Sequence, residues 1–398
     1  MALPVKDVLR RLHRWIGLTL GFGLTVISVS GTLLLFQPQF FRWAHGELIP
    51  AGTSQQQVGS LETWVENADA AVPGVAGPFF IWPPQTSHNI SDAGMVLYRD
   101  EPGGLGKSGF IAVLVAPATG AVLGVVDIDR SPAYAPIFLH GRLWAGPVGI
   151  VLVGSIAAGS LLLLLIGPYL WWPPRERLVR KLSVRPWKST FLHAARLHDW
   201  AGIWSFMLLI VVVGTGLYMA RPDWVAPVLK LLPSTQATAA AHSVHASAHT
   251  GVESVQGTCR DPIGLDRATT DAHALAPGTV FHALHAMGNE LPVRRWRVGF
   301  KPAQATAPTQ QTFVDIDLQC GTVALVGTPD ARAERETAEL LLEGLHDGTQ
   351  FGFAGQILVA IVGLIPLVLM WSGLVRWWTA RRYSVKQRAV ATRSSTAE

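Results

Sequence analysis

Charged residues are scarce in this chain: 15% of 398 positions, against 49% that are hydrophobic. Mean hydropathy is +0.31, and four runs are nearly free of charge, at about residues 15–36, 144–172, 201–220 and 351–378. That composition excludes an ordinary soluble globular protein, and each run supplies the ~20 residues needed to cross a bilayer. Cysteine is almost absent too, Cys259 and Cys320 being the only two. No Cys-x-x-Cys-His occurs, so covalent c-type haem is excluded. No Gly-x-Gly-x-x-Gly follows a strand, and the polar stretches after the second and fourth runs are too short for a dinucleotide fold. Neither a flavin nor a nicotinamide site is expected.

The cations that are present are unevenly placed. Lys6, Arg10, Arg11 and Arg14 precede the first run; Arg175, Arg177, Arg180, Lys181, Arg185, Lys188 and Arg196 crowd the link between the second and third; Arg376, Arg381, Arg382, Lys386 and Arg388 follow the fourth. Positive flanks are retained in the cytoplasm. The expected topology is a multi-pass protein of the bacterial inner membrane with both termini cytoplasmic and residues 37–137 and 221–343 outside. The formal charge of +5 follows from this arrangement, so membrane lipid is an expected partner and nucleic acid is not. The first run is too long for a signal peptide and lacks a small-x-small site before Gln37-Pro38, which makes it an uncleaved anchor. Both cysteines fall in the second outer segment, where an oxidising compartment permits a disulfide without requiring one.

The chain repeats itself. Arg11-Leu12-His13-Arg14-Trp15-Ile16-Gly17 returns 185 residues later as Arg196-Leu197-His198-Asp199-Trp200-Ala201-Gly202, each at the start of an apolar run. At the same offset Ser30-Gly31 matches Thr215-Gly216. Leu139-His140 and Leu345-His346 form a second pair, each histidine followed by Gly at the sixth and ninth positions and by Trp-Trp 31 residues on; Gly167 matches Gly373. The outer segments repeat as well: Ala-rich helical sequence from residue 61 to Pro73-Gly74 and from 265 to Pro277-Gly278, then strand-like runs closing on Thr119-Gly120 and Cys320-Gly321. An insertion of about 19 residues near 233–251 accounts for the larger offset of the second outer segment. That stretch contains His242, His245 and His249 but no Cys, Asp or Glu, which argues against a metal site.

Four histidines at matching helix ends suggest haem. His13 and His198 begin the first and third spans on the inner side; His140 and His346 begin the second and fourth on the outer side. One pair per leaflet would hold two b-type haems, each iron between two neutral imidazoles. Gly17, Gly202, Gly146 and Gly352 would let a flat macrocycle approach backbone, and Arg11, Arg14, Arg196 and Arg142 are candidates to pair its propionates. An isolated histidine at such a position is more often an interfacial cap. Tryptophans at the span ends are ordinary aromatic belts.

In their order, these motifs resemble the PepSY-associated transmembrane proteins, a family that includes iron-regulated inner-membrane proteins and ferric-siderophore reductases. The resemblance covers about residues 8–380. It implies a membrane protein built by internal duplication, a four-helix transmembrane bundle with two small α+β PepSY-like periplasmic domains. Helices are expected at 8–38, 137–174, 197–222 and 344–379, periplasmic domains at 39–136 and 223–343, a basic cytoplasmic link at 175–196 and a tail at 380–398. It also implies a haem-dependent ferric-siderophore reductase fed by quinol or a separate flavoprotein, the catalytic part being the haem itself. Phe79-Phe80-Ile81-Trp82 and Phe281-His282-Ala283-Leu284-His285 are candidate substrate contacts or simply core strands. The competing class is a non-enzymatic membrane sensor or protease-regulating interaction protein with structural histidines.

Overall fold

The computed structural model describes residues 5–84, 91–99, 108–178, 190–229, 261–288, 293–304, 310–328 and 334–395. Helix α1 (Val5–Leu34) leads to α2 (Gln37–His45), α3 (Leu61–Ala71), strands β1 (Ala76–Trp82), β2 (Gly94–Arg99), β3 (Phe110–Val115) and β4 (Val122–Asp127), then α4 (Ala135–Arg142) and α5 (Gly146–Trp171). The same order recurs as α6 (Thr190–Ala220), α7 (Pro222–Leu229), α8 (Leu265–Ala274), β5 (Val280–Ala286), β6 (Arg295–Lys301), β7 (Thr312–Asp317), β8 (Thr322–Gly327), α9 (Glu334–Asp347) and α10 (Gly352–Ser395). Among the described residues four helices are long and apolar enough to cross a membrane, over Val5–Leu34, Gly146–Trp171, Leu192–Ala220 and Thr349–Arg382. The protein is a multi-pass membrane protein.

In the bundle α1 packs against α5 and α10, and α6 packs against the same two. Helices α1 and α6 are therefore diagonal, each facing the other across the bundle axis. Small residues draw neighbours together, as membrane helices require. A Cβ on Gly23 would lie 2.6 Å from the Ile156 side chain, and one on Gly363 would strike Thr32.

The second and fourth spans begin later than the expected helices, close to where their apolar runs begin. His140 and His346 stand in the last turns of α4 and α9, and α5 and α10 start only at Gly146 and Gly352. Expected helices at 137–174 and 344–379 are thus each a short helix, a sharp turn and a span. The turns use left-handed backbone: Leu143 at φ 46° and Trp144 at φ 57° in one, Gly348 at φ 82° in the other, with Gly146 and Gly352 at φ 54° and 62°. The expected tail beyond residue 380 continues α10 as helix to Ser395.

Two separate outer domains were expected from the repeat; the structure joins them. The eight strands form one antiparallel sheet in the order β4-β3-β2-β1-β5-β6-β7-β8, with β1 and β5 paired at the centre through Phe80↔His285 and Ile81↔Leu284. Each half thereby covers the other's exposed edge. Helices α3 and α8 lie on one face over a shared core that includes Trp64, Ala68, Ile81, Val96, Leu284, Val298 and Ile316. They also cap one another: Asp266 Oδ1 accepts from the N–H of Leu61 at 2.6 Å, while Glu62 Oε1 accepts from the N–H of Asp266 at 3.4 Å. Cys320 is disulfide-bonded; Cys259, the chain's other cysteine, lies outside the described residues, as do His242, His245 and His249.

Candidate functional site

The bundle brings the four repeated histidines together in pairs. His13 on α1 and His198 on α6 meet across the diagonal with ring centroids 6.3 Å apart. At the sheet end, His140 on α4 and His346 on α9 meet with centroids 5.8 Å apart. Fourteen residues separate the level of His13 from Ile27, and His198 from Val212, which are the residues that anchor the outer pair. At the helical rise this puts the two pairs ~21 Å apart along the bundle.

Main-chain carbonyls fix the rings. His140 Nδ1 donates to Ile27 O at 2.8 Å and His346 Nδ1 to Val212 O at 2.9 Å. His198 Nδ1 donates to Leu369 O at 3.0 Å. A carbonyl only accepts, so in these three rings the proton sits on Nδ1 and Nε2 keeps its lone pair, the tautomer a metal-binding imidazole needs. Hydroxyls stand beside two of them, Thr215 Oγ1 at 3.1 Å from His346 Nδ1 and Ser372 Oγ at 3.1 Å from His198 Nδ1. His13 differs, its Nδ1 being buried with no hydrogen-bond partner among the described residues.

Glycines do flank the rings, but not those the sequence nominated. A Cβ on Gly31 would lie 2.6 Å from His140 Cε1, and one on Gly216 would lie 2.8 Å from His346 Cε1. At the other level the corresponding distances are 3.6 Å from Gly167 to His13 and 3.5 Å from Gly373 to His198. By contrast a Cβ on Gly17 meets nothing within 4 Å and one on Gly202 meets only Leu369. Gly146 and Gly352 serve the backbone turns described above. The four that flank the rings are themselves matched by the repeat, Gly31 with Gly216 and Gly167 with Gly373.

Arg11, Arg14 and Arg142 are exposed, Arg14 lying over the Trp15 ring, and Arg196 is half-buried on α6. Among the described residues Arg376 of α10, three residues beyond Gly373, lies near the inner pair, its Nη1 3.7 Å from Oδ1 of Asp199, the neighbour of His198. The nominated strand residues split by face. Ile81 and Leu284 are core, whereas Phe80, Trp82 and His285 cluster on the opposite face, Phe80 stacking on Trp82 at 5.3 Å.

The donor set suits haem iron. A metal–imidazole bond is about 2 Å, so two rings ligating one metal from opposite sides have centroids roughly 6 Å apart. Both pairs have this spacing, and no group of three or more His, Cys, Asp or Glu residues competes for a metal among the described residues.

Fold and site together define a four-span membrane protein with a facing histidine pair at each of two depths. The chain belongs to the family of the PepSY-associated TM region, which it matches over residues 10–380. No curated protein matches it.

Proposed function

We propose that this duplicated chain is a di-haem b electron-transfer protein of the bacterial inner membrane that reduces a periplasmic ferric siderophore. The observation that carries the reading is the pairing itself: His13 with His198 and His140 with His346, at opposite ends of one bundle. Haem bound at both pairs supplies reversible one-electron chemistry at two depths. The protein's part is to fix three imidazoles through carbonyls of neighbouring spans and to keep a low-dielectric passage between the levels. Arg376 and Asp199, 3.7 Å apart, form an ion pair next to the inner histidines.

Each electron delivered converts one Fe(III) to Fe(II), and a quinol that gives two electrons releases two protons and serves two ferric ions; a flavoprotein is the other candidate donor. Fe(II) is the larger and less charged ion, so an oxygen-donor chelate holds it less well and lets it go. Phe80, Trp82 and His285 at the β1–β5 seam lie on the sheet face that packs against α2 and α4, which makes them the substrate contacts this reading favours.

The test is direct. Detergent-purified protein from haem-replete cells should show b-type bands at about two haems per chain, and in vesicles with a quinol donor it should produce Fe(II) from a ferric chelate. A colourless protein would return the chain to the sensor or interaction class.

A further inference from the structure

Helix α2 is gripped on one side only. Phe41 is fully buried in the core under the first half of the sheet, among Met95, Leu97, Ala112 and Leu114 of β2 and β3, and its ring meets that of Tyr134 at 6.2 Å. On the same side His45 Nε2 lies 2.7 Å from Ser131 Oγ, and Gln37 Nε2 donates to Ala133 O at 3.4 Å. The other side is bare of protein: Trp43 is 77% exposed and Phe36, which begins the helix, is 49% exposed. Phe36, Gln39 and Trp43 recur at spacings of three and four, the period of one helix face, opposite Phe41.

The direction of that face follows from what surrounds the helix. Only Leu35 and Phe36 separate α2 from the end of the span α1. The core lies between α2 and the sheet, so the opposite face looks back along the spans, to the level where lipid ends. Exposed aromatic side chains recur at the other three outer span ends: Trp144 just before α5, Trp224 on α7 directly after α6, and Phe351 and Phe353 at the start of α10. A ring of aromatics at one level marks a membrane–water boundary, and a short helix lying in that boundary buries its apolar side among acyl chains.

We propose that α2 is a membrane-surface helix, docked on outer-leaflet phospholipid through Phe36 and Trp43, and that it holds α4 at a fixed height above the bilayer. Lipid is the occupant because the helix grows directly out of a span and shares its exposed aromatics with every other outer span end. Gln39 and Arg42, exposed beside Trp43, are groups that headgroups accept. The grip on Ser131 and Ala133 carries the height onward. Ser131 caps the short helix Pro132–Tyr134, which runs without a break into α4, and His140 stands in the last turn of α4. The inference is independent of the reductase reading, since a purely structural histidine would be placed in the same way.

Spin labels test this in the full chain, reconstituted in vesicles of phosphatidylethanolamine and phosphatidylglycerol. The native disulfide is kept oxidised so that only an introduced cysteine is labelled. Trp43→Cys is compared with Phe22→Cys, exposed in the middle of α1, and with Glu66→Cys, exposed on α3 on the far face of the sheet. The label at position 43 should collide with dissolved oxygen in preference to a water-soluble nickel chelate, at a depth of ~5–10 Å, between those of the two references. A label at position 43 that behaves like the one at position 66 overturns the inference, whether that face is bare or meets another protein. Ile137→Cys, exposed on α4, reports the hold on α4. Its spectrum should sharpen when Phe36→Ser and Trp43→Ser are added, both at exposed positions that leave the core intact, and should be unchanged by Val125→Ser on the exposed edge of β4. A spectrum that the paired serines leave unchanged overturns the role of α2 in placing α4.

Discussion

Gly31 and His140 are in contact: a Cβ at position 31 would lie 2.6 Å from Cε1 and 2.8 Å from Nδ1 of the imidazole. The ring cannot retreat freely, because Nδ1 is held by Ile27 O one turn earlier on the same helix. Gly31→Ala should therefore displace His140, and Gly216→Ala should displace His346 by the same logic. Each variant is expected to lose or alter the outer haem while the inner one keeps its spectrum. Gly17→Ala, where a Cβ meets nothing within 4 Å, should be spectroscopically silent. Haem per chain and reduced-minus-oxidised spectra of the three proteins check this.

Removing ligands should reveal the same two levels. His13→Ala or His198→Ala is expected to halve the haem content by removing the inner group, and His140→Ala or His346→Ala to halve it by removing the outer. Combining His13→Ala with His198→Ala should cost no more haem than either alone, because both strip one site. Loss of all haem from His13→Ala with His198→Ala would show that the pairs do not hold separate groups.

How much of this was legible beforehand depends on range. The spans and the partners within each pair were readable because polarity and a repeated motif at fixed offset are properties of the chain itself. The β1–β5 seam was not, because both strands present edges of similar sequence and nothing local says which edges meet. The breaks before α5 and α10 were hidden too: Ile137 and Phe138 are apolar and merge with the span, while Leu143 and Trp144 carry the left-handed turn without glycine. Composition could not choose between Gly17 and Gly31, since only packing decides which face of α1 meets a histidine.

The reciprocal caps at the centre of the outer module should be measurable as stability. Asp266→Ala leaves the first N–H groups of α3 without the carboxylate that accepts from Leu61 at 2.6 Å, a loss of about 1 kcal/mol for a cap of this kind. A lower thermal midpoint with unchanged haem spectra is expected. A fall in haem content of the folded protein would instead mean that the sheet module positions the histidines.

Glu343 should trade stability against charge. Burial holds its carboxyl above the usual 4.5, Asp347 adds to the shift and Lys301 opposes it. A raised folded-state value means the folded protein binds more protons than the unfolded chain, so this group's contribution declines as pH rises through 4.5 toward the folded value and is worst above it. Glu343→Gln should raise the thermal midpoint near pH 7.5 relative to the parent, and that advantage should vanish at and below the unfolded value. A gain that persists unchanged at low pH would place the effect in packing and not in ionisation.

His13 is the member of the four whose position the protein fixes least. The other three each donate Nδ1–H to a carbonyl, and two have a hydroxyl within 3.1 Å as well, whereas His13 Nδ1 is buried without a partner among the described residues. A second hydrogen bond raises ligand basicity and holds the ring in place, so the iron bond to His13 should be the weakest and the first to exchange. Carbon monoxide added to the reduced protein is expected to shift the Soret band of the inner haem alone, about half the total. In His140→Ala, stripped of the outer haem, the whole remaining band should shift; in His198→Ala, stripped of the inner one, none should. A carbon monoxide adduct formed at the outer haem first would show that the missing hydrogen bond does not govern ligand strength at these sites.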